Sequence, residues 1–264
     1  MPADASPNVA YGRMVNEMRR RGRVLVAFSG GVDSGLVARI AHDALGGAAL
    51  AVIADSESLA RWEMREALSE AEEIGIETRV VRLSELSNPR YTENPANRCF
   101  FCRQGLAEIL GPLAQEERFA AIADGVHLSD LGDVRPGIRA MDEAGFWHPL
   151  VETGLDKGGV RLLARTLGLS FADKPSNACL SSRIPHGTAI TLELLRMVES
   201  AEDDVRNLGF RQVRVRHHGS LARIEVPPED VPSLQDRATE VSEALRRRGY
   251  AEVVIDPAGY RSSA

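Results

Sequence analysis

Along its first half the chain alternates short apolar runs with stretches whose apolar residues recur at helical spacing. Arg23 to Phe28, RVLVAF, is a continuous apolar run suited to a strand buried on both faces. The glycine-rich SGGVDSG follows, and LVARIAHDAL then places its apolar residues on one helical face. Ala48 to Ala54, AALAVIA, repeats the strand signal. Trp62 to Ile74 reads as a helix stopped by Gly75, and Thr78 to Leu83 as a third strand. Phe119 to Ala123 runs apolar into Asp124-Gly125, a strand followed by a turn. Strands that alternate with helices predict a parallel sheet joined by right-handed crossovers, so an α/β first half is expected.

The pattern changes after Pro185-His186-Gly187. Thr191 to Leu208 predicts a helix with Thr191 as N-cap, Leu194, Leu195 and Val198 on one face, and Gly209 as the stop. Gln212 to His217 (QVRVRH) and Leu221 to Val226 (LARIEV) each alternate in polarity across His218-Gly219-Ser220, a hairpin signature. Val231 to Arg248 predicts a further amphipathic helix, and Glu252 to Ile255 a last strand. Helix, hairpin, helix and strand predict a small α+β domain, and the expected division is 1–185 and 186–264.

Composition then removes several function classes. A net charge of −6 and an aromatic content of 5% give little support for binding a polyanion or stacking on single-stranded bases, so no nucleic-acid partner is expected. No window approaches the roughly 18 apolar residues of a membrane span, and Met1 to Arg23 lacks the apolar centre of a secretory signal. The cysteines are Cys99, Cys102 and Cys179, an odd and small set that reads as cytosolic thiols rather than a disulfide framework. A cytoplasmic protein without a membrane partner is expected, and each thiol is a candidate for chemistry.

Ser29-Gly30-Gly31-Val32-Asp33-Ser34 lies between a predicted strand and a predicted helix. Two glycines let the backbone approach a phosphate, and the helix N-terminus offers free N–H groups and a positive dipole end. Ser29 and Ser34 add hydroxyls, and Asp33 can hold a Mg²⁺ that bridges phosphates. The lysine of GxxxxGK[ST] is missing, which separates this loop from that of kinases and GTPases. The segment resembles the PP-loop of the ATP-pyrophosphatase superfamily, whose SGGxDS pattern it matches in full. That resemblance implies an adenine nucleotide alpha hydrolase-like fold and adenylyl transfer: a substrate oxygen attacks the α-phosphate of ATP, pyrophosphate leaves, and a nucleophile later displaces AMP.

Further stretches narrow the resemblance. ADSES (Ala54 to Ser58), Asp124-Gly125, DVRPGIRA (Asp133 to Ala140), KPSNACLSSRIPHGTAIT (Lys174 to Thr191) and VRVRHH (Val213 to His218) together resemble the sulfur transferases that mature the nickel-pincer cofactor of lactate racemase, often called LarE. The similarity covers nearly the whole chain. In that family a carboxylate of pyridinium-3,5-biscarboxylic acid mononucleotide is adenylated and converted to a thiocarboxylate. The resemblance therefore implies ATP, Mg²⁺, a small mononucleotide substrate and a sulfur donor; a homo-oligomer is also expected. By the same resemblance Ser29, Gly30, Gly31, Val32, Asp33 and Ser34 bind the ATP phosphates, with Ser56, Asp124 and Gly125 also at the nucleotide. Ser182, Arg183, Arg214 and Arg216 are expected at the substrate, the last two on one face of a strand where they can grip a phosphate. Glu202 and Glu225 match acidic positions that line the family's active site. The plainer alternatives are solvated arginines on an open sheet face and ordinary surface carboxylates.

Cys99 and Cys102 have CxxC spacing in NRCFFCR, and Cys179 stands in NACLSSR. Such a pair can be a zinc half-site, a redox couple or two buried thiols, although no second CxxC or HxxxH completes a zinc set. Three thiolates also match a [4Fe–4S] cluster with one open iron, which could bind an additional sulfide as sulfur donor. One branch of the resembled family sacrifices the sulfur of a single cysteine, leaving dehydroalanine. Anchored on SSRxP, that cysteine falls at Ala178, with Cys179 its neighbour. The added CxxC makes the chain more similar to the cluster-bearing branch, so a [4Fe–4S] cluster on Cys99, Cys102 and Cys179 is expected. The alternative activity is a tRNA thiolase of the same superfamily. It would call for an RNA-binding appendage and a basic surface, neither of which the sequence displays.

Overall fold

The computed structural model describes residues 7–132 and 135–260, so Asp133 and Val134 of the DVRPGIRA stretch lie outside the described residues. Along the chain, α1 (Pro7–Arg21), β1 (Val24–Ala27), α2 (Val32–Leu45), β2 (Ala49–Ser56), α3 (Arg61–Ile74) and β3 (Glu77–Leu83) come first. Next are α4 (Pro89–Thr92), α5 (Arg98–Glu116), β4 (Ala121–Ala123), α6 (Pro136–Glu143), α7 (Pro149–Glu152) and α8 (Lys157–Thr166). The chain ends with α9 (Leu192–Asn207), β5 (Arg214–His218), β6 (Leu221–Glu225), α10 (Val231–Asp236), α11 (Ala238–Arg247) and β7 (Glu252–Ile255). Where the sequence suggests one boundary after residue 185, the structure gathers two compact units differently. One holds the chain up to Glu85 with Asn97–Asn177, the other Leu86–Ala96 with the chain from Ala178 onward.

The first unit is built on a parallel sheet in the order β3-β2-β1-β4. Successive residues of β1 face opposite sides: Val24 and Val26 enter the core shared with α1, α2 and α8, and Leu25 enters the one formed with α5 and α6. This two-sided burial explains why RVLVAF shows no polar alternation. The strand order reverses at β1, which places β2 on one side and β4 on the other. The carboxyl ends of β1 and β4 therefore flank a switch point, the place where open α/β sheets receive ligands. Helix α3 ends where expected, with Gly75 left-handed at φ 79°.

The second unit carries an antiparallel β5–β6 hairpin with β7 added parallel to β6. Thr191 caps α9 by accepting from the Leu194 N–H at 3.2 Å. Val205 of α9 shares a core with Val215, Ile224, Val241 and Leu245. The single helix expected over Val231 to Arg248 is in fact two. At Arg237 the backbone leaves the helical region (φ −104°, ψ 15°), and its N–H turns back to the Leu234 carbonyl at 3.1 Å. The Arg237 guanidinium holds the Leu208 carbonyl at 2.7 Å and Glu240 at 2.8 Å, which fixes the break. Among the described residues no helix is long and apolar enough to cross a membrane.

Candidate functional site

In the first unit, SGGVDS links β1 to α2. Gly30 sits at φ 70°, and a Cβ there would stand 2.6 Å from the Ala67 Cβ, so backbone conformation and space both require glycine. Ser34 accepts from the Ser29 N–H at 3.2 Å and donates to the Gly31 carbonyl at 3.2 Å, which closes the loop on itself. Gly31 is the N-cap of α2, and Asp33 lies in its first turn. The loop after β4 meets it directly: a Cβ on Gly125 would fall 2.5 Å from the Ser34 nitrogen. The fold thus brings together Ser29 to Ser34, Asp124 and Gly125 at the switch point. Ser56 ends β2, with its hydroxyl 3.4 Å from that of Ser58.

Sequence reasoning missed the cations of this region. Lys157, in the first turn of α8, donates to both Asp33 oxygens at 2.6 and 2.7 Å. Asp156 caps that helix by accepting from the Gly159 N–H at 2.8 Å; this start is visible in the sequence, but its partner is not. His127, which is buried, has Nε2 3.8 Å from Asp33 and Nδ1 3.3 Å from Asp130. His148 lies between Asp124 at 2.7 Å and Asp142 at 2.9 Å. Burial alone would lower its affinity for a proton, but the two carboxylates win and lift its pKa to about 8.

The second unit gathers Ser182, Arg183, Glu202, Arg214, Arg216 and Glu225. Glu202 is wholly buried and accepts from Arg183 Nε at 2.8 Å, Arg206 Nη2 at 3.0 Å and the Val215 N–H at 3.0 Å. Saturated by these donors, it orients Arg183, which also donates to the Cys179 carbonyl at 3.1 Å. Arg216 bridges Glu225 at 2.9 Å and the Ser182 carbonyl at 3.0 Å. Arg214 is 8% exposed, its guanidinium lies 4.1 Å from the centre of the Tyr260 ring, and it forms no ion pair among the described residues. Burial and the nearby Arg183 and Arg216 charges lower its pKa, while Tyr260 and Glu225 act against this. Tyr91 and Asn94 brace the same region: the Tyr91 hydroxyl is 2.5 Å from that of Ser181, and Asn94 Nδ2 donates to the Pro185 and Thr188 carbonyls.

Cys99 and Cys102 lie in the first and second turns of α5, Cys99 exposed and Cys102 half-buried. Helix α6 packs closely there: a Cβ on Gly137 would lie 3.6 Å from that of Cys99. Cys179, half-buried, belongs to the second unit. Among the described residues no group of three or more His, Cys, Asp or Glu side chains is arranged to hold a metal ion. Cys99 and Cys102 thus lie in one unit and Cys179 in the other, and no chemical step is routed through a cluster.

A family profile described as NAD synthase matches residues 11–96, the stretch that carries SGGVDS. The chain is 46% identical over 242 residues to an uncharacterized protein of Synechocystis sp., covering 91% of this chain and 90% of that one. It is 24% identical over 248 residues to an uncharacterized protein of Methanocaldococcus jannaschii, covering 94% of each. Its identity to the pyridinium-3,5-bisthiocarboxylic acid mononucleotide synthase of Lactiplantibacillus plantarum is 37% over 241 residues, 91% of this chain and 87% of that protein. Identity on that scale reaches from the phosphate loop through the arginine hairpin, and the chain belongs to the LarE-type family of PP-loop proteins that includes this synthase.

Proposed function

We propose that the protein is a cytoplasmic ATP-dependent sulfur transferase that turns carboxylates of pyridinium-3,5-biscarboxylic acid mononucleotide into thiocarboxylates. The observation that carries this reading is the contact of the Ser29–Ser34 loop with Asp124-Gly125 at the sheet's switch point, in a chain 37% identical to the synthase. The loop grips the pyrophosphate of ATP through helix N-terminal N–H groups and the two serine hydroxyls. Asp33 supplies the one carboxylate a Mg²⁺ needs when phosphates and water complete its shell. Lys157, paired with Asp33, is a compact cation of the kind that the loop itself lacks. A substrate carboxylate oxygen attacks the α-phosphate, the bond to the β-phosphate breaks, and pyrophosphate leaves. A sulfur nucleophile then attacks the acyl carbon and AMP departs.

In the second unit, Arg183 and Arg214, both buried, and the half-buried Arg216 stand against two carboxylates, Glu202 and Glu225, and leave an excess of positive charge suited to the substrate phosphate. Ser182 and Glu225 orient Arg216, and Glu202 orients Arg183. Cys99, Cys102 and Cys179 serve the delivery of sulfur. Anaerobic iron and sulfide analysis decides whether they do so as ligands of a [4Fe–4S] cluster: about four irons per chain supports it, and iron-free active protein excludes it.

The deciding experiment supplies ATP, Mg²⁺ and the dicarboxylate mononucleotide. AMP and pyrophosphate should appear together, and Asp33→Asn should abolish both while leaving the fold intact. Release of inorganic phosphate without pyrophosphate would refute the reading.

A further inference from the structure

Lys174 lies in the KPSNACLSSR stretch, yet its side chain is committed to the phosphate loop. Its ammonium donates to the Gly30 carbonyl at 2.8 Å and to Glu70 Oε1 at 2.6 Å, and stands 3.0 Å from Glu66 Oε2. Glu66 and Glu70 lie on successive turns of α3, and Ala67 of the same helix is the residue that forbids a side chain at Gly30. Glu70 is buried, and its Oε2 has no hydrogen-bond partner among the described residues. Three residues after Lys174, Asn177 donates to Glu63 of α3, so the segment is fastened to that helix at both ends.

The consequence follows from the geometry of a trans peptide. The carbonyl of Gly30 and the N–H of Gly31 belong to one rigid plane and point in opposite directions. A cation that fixes the Gly30 carbonyl against α3 therefore also fixes where the Gly31 N–H points, and Gly31 is the N-cap from which α2 starts. We propose that Lys174 is a positioning residue for the phosphate loop: anchored on Glu70 and Glu66, it sets the peptide plane between Gly30 and Gly31 and so aims the first backbone donor of the site. Lys157 acts on the other side of the loop, on the Asp33 carboxylate; Lys174 acts on the backbone itself. The inference rests on the reading of Ser29–Ser34 as the ATP phosphate site.

The test measures dissociation constants for ATP with Mg²⁺ and, separately, for the dicarboxylate mononucleotide, by calorimetry on the full chain. Lys174→Met should weaken ATP by about tenfold to a hundredfold, the loss of a charge-assisted hydrogen bond. Mononucleotide affinity, which relies on the arginines of the second unit, should stay at the wild-type value. Glu70→Gln, which keeps an acceptor and removes a charge, should weaken ATP by about threefold to tenfold, and Lys174→Arg should recover part of the loss. Unchanged ATP affinity in a folded K174M protein overturns the proposal, as does a parallel fall in both affinities, the mark of a merely structural ion pair. If K174M does not fold, E70Q is judged by the same two constants. A wild-type chain that binds the mononucleotide but not ATP would instead refute the nucleotide reading on which the proposal stands.

Discussion

At the phosphate loop both lysines are already engaged, Lys157 by Asp33 and Lys174 by Glu70, whereas in the second unit Arg214 lies buried on the Tyr260 ring without an ion pair among the described residues. The first region is a backbone site. Its shape depends on Gly30 in the left-handed region and on the contact of Gly125 with Ser34, and each of its lysines is paired with a carboxylate. The second is a side-chain site, in which a wholly buried carboxylate, Glu202, holds Arg183 in place while Arg214 stays uncompensated. A site built of backbone should be governed by its shape, and the arginine site by the charge of its side chains.

The strongest test removes the buried anchor. Glu202→Ala leaves the buried Arg183 without its carboxylate and should destabilise the protein by about 3–5 kcal/mol in chemical denaturation. Gly125→Ala tests shape in the first region. Its Cβ would collide with the Ser34 backbone, so ATP-dependent pyrophosphate release should fall by at least about a hundredfold, with destabilisation of about 1–3 kcal/mol. A freely active G125A protein would end the claim that backbone geometry governs that site. Arg214→Ala tests charge in the second region and should raise the mononucleotide KM by about tenfold to a hundredfold while ATP affinity holds. Equal losses for both ligands would erase the contrast.

The smallest effect concerns His148. Its folded pKa of about 8 lies above the ordinary 6.5, so the protonated ring stabilises the fold in full below pH 6.5, and the contribution disappears as pH rises through 8. Asp142 is well exposed and solvent weakens its share, so we expect about 1 kcal/mol. Denaturant midpoints at pH 6 and pH 9 should differ less in His148→Ala than in the wild type. An equal difference would show that His148 does not carry it.

The loop and its sheet were legible because their signals are local. β1 and β2 announce themselves as unbroken apolar runs, and SGGVDS falls between a strand and a helix. The cations were illegible because Lys157 and Lys174 meet their carboxylates across 124 and 104 residues of sequence. Glu202 resembles a surface carboxylate within ESAEDD, and only the packing of α9 against the hairpin buries it. Helix α5, which carries both CxxC thiols, was hidden by Gly105, Gly111 and Pro112 inside it. The break at Arg237 depends on the distant Leu208 carbonyl, which no helical pattern reveals.

The excursion of Leu86–Ala96 into the second unit governs the order in which this chain can be finished. Tyr91 and Asn94 leave the ribosome early, but the groups they serve, Ser181 and the carbonyls of Pro185 and Thr188, come 90 to 94 residues later. Until then Asn94, which is fully buried in the folded protein, must keep its amide in water. The second unit is therefore sewn from two distant lengths of chain, and a fragment that begins at Ala178 starts without one of them. Synthesis from the N-terminus delivers the glycine-rich loop first and completes the arginine cluster last.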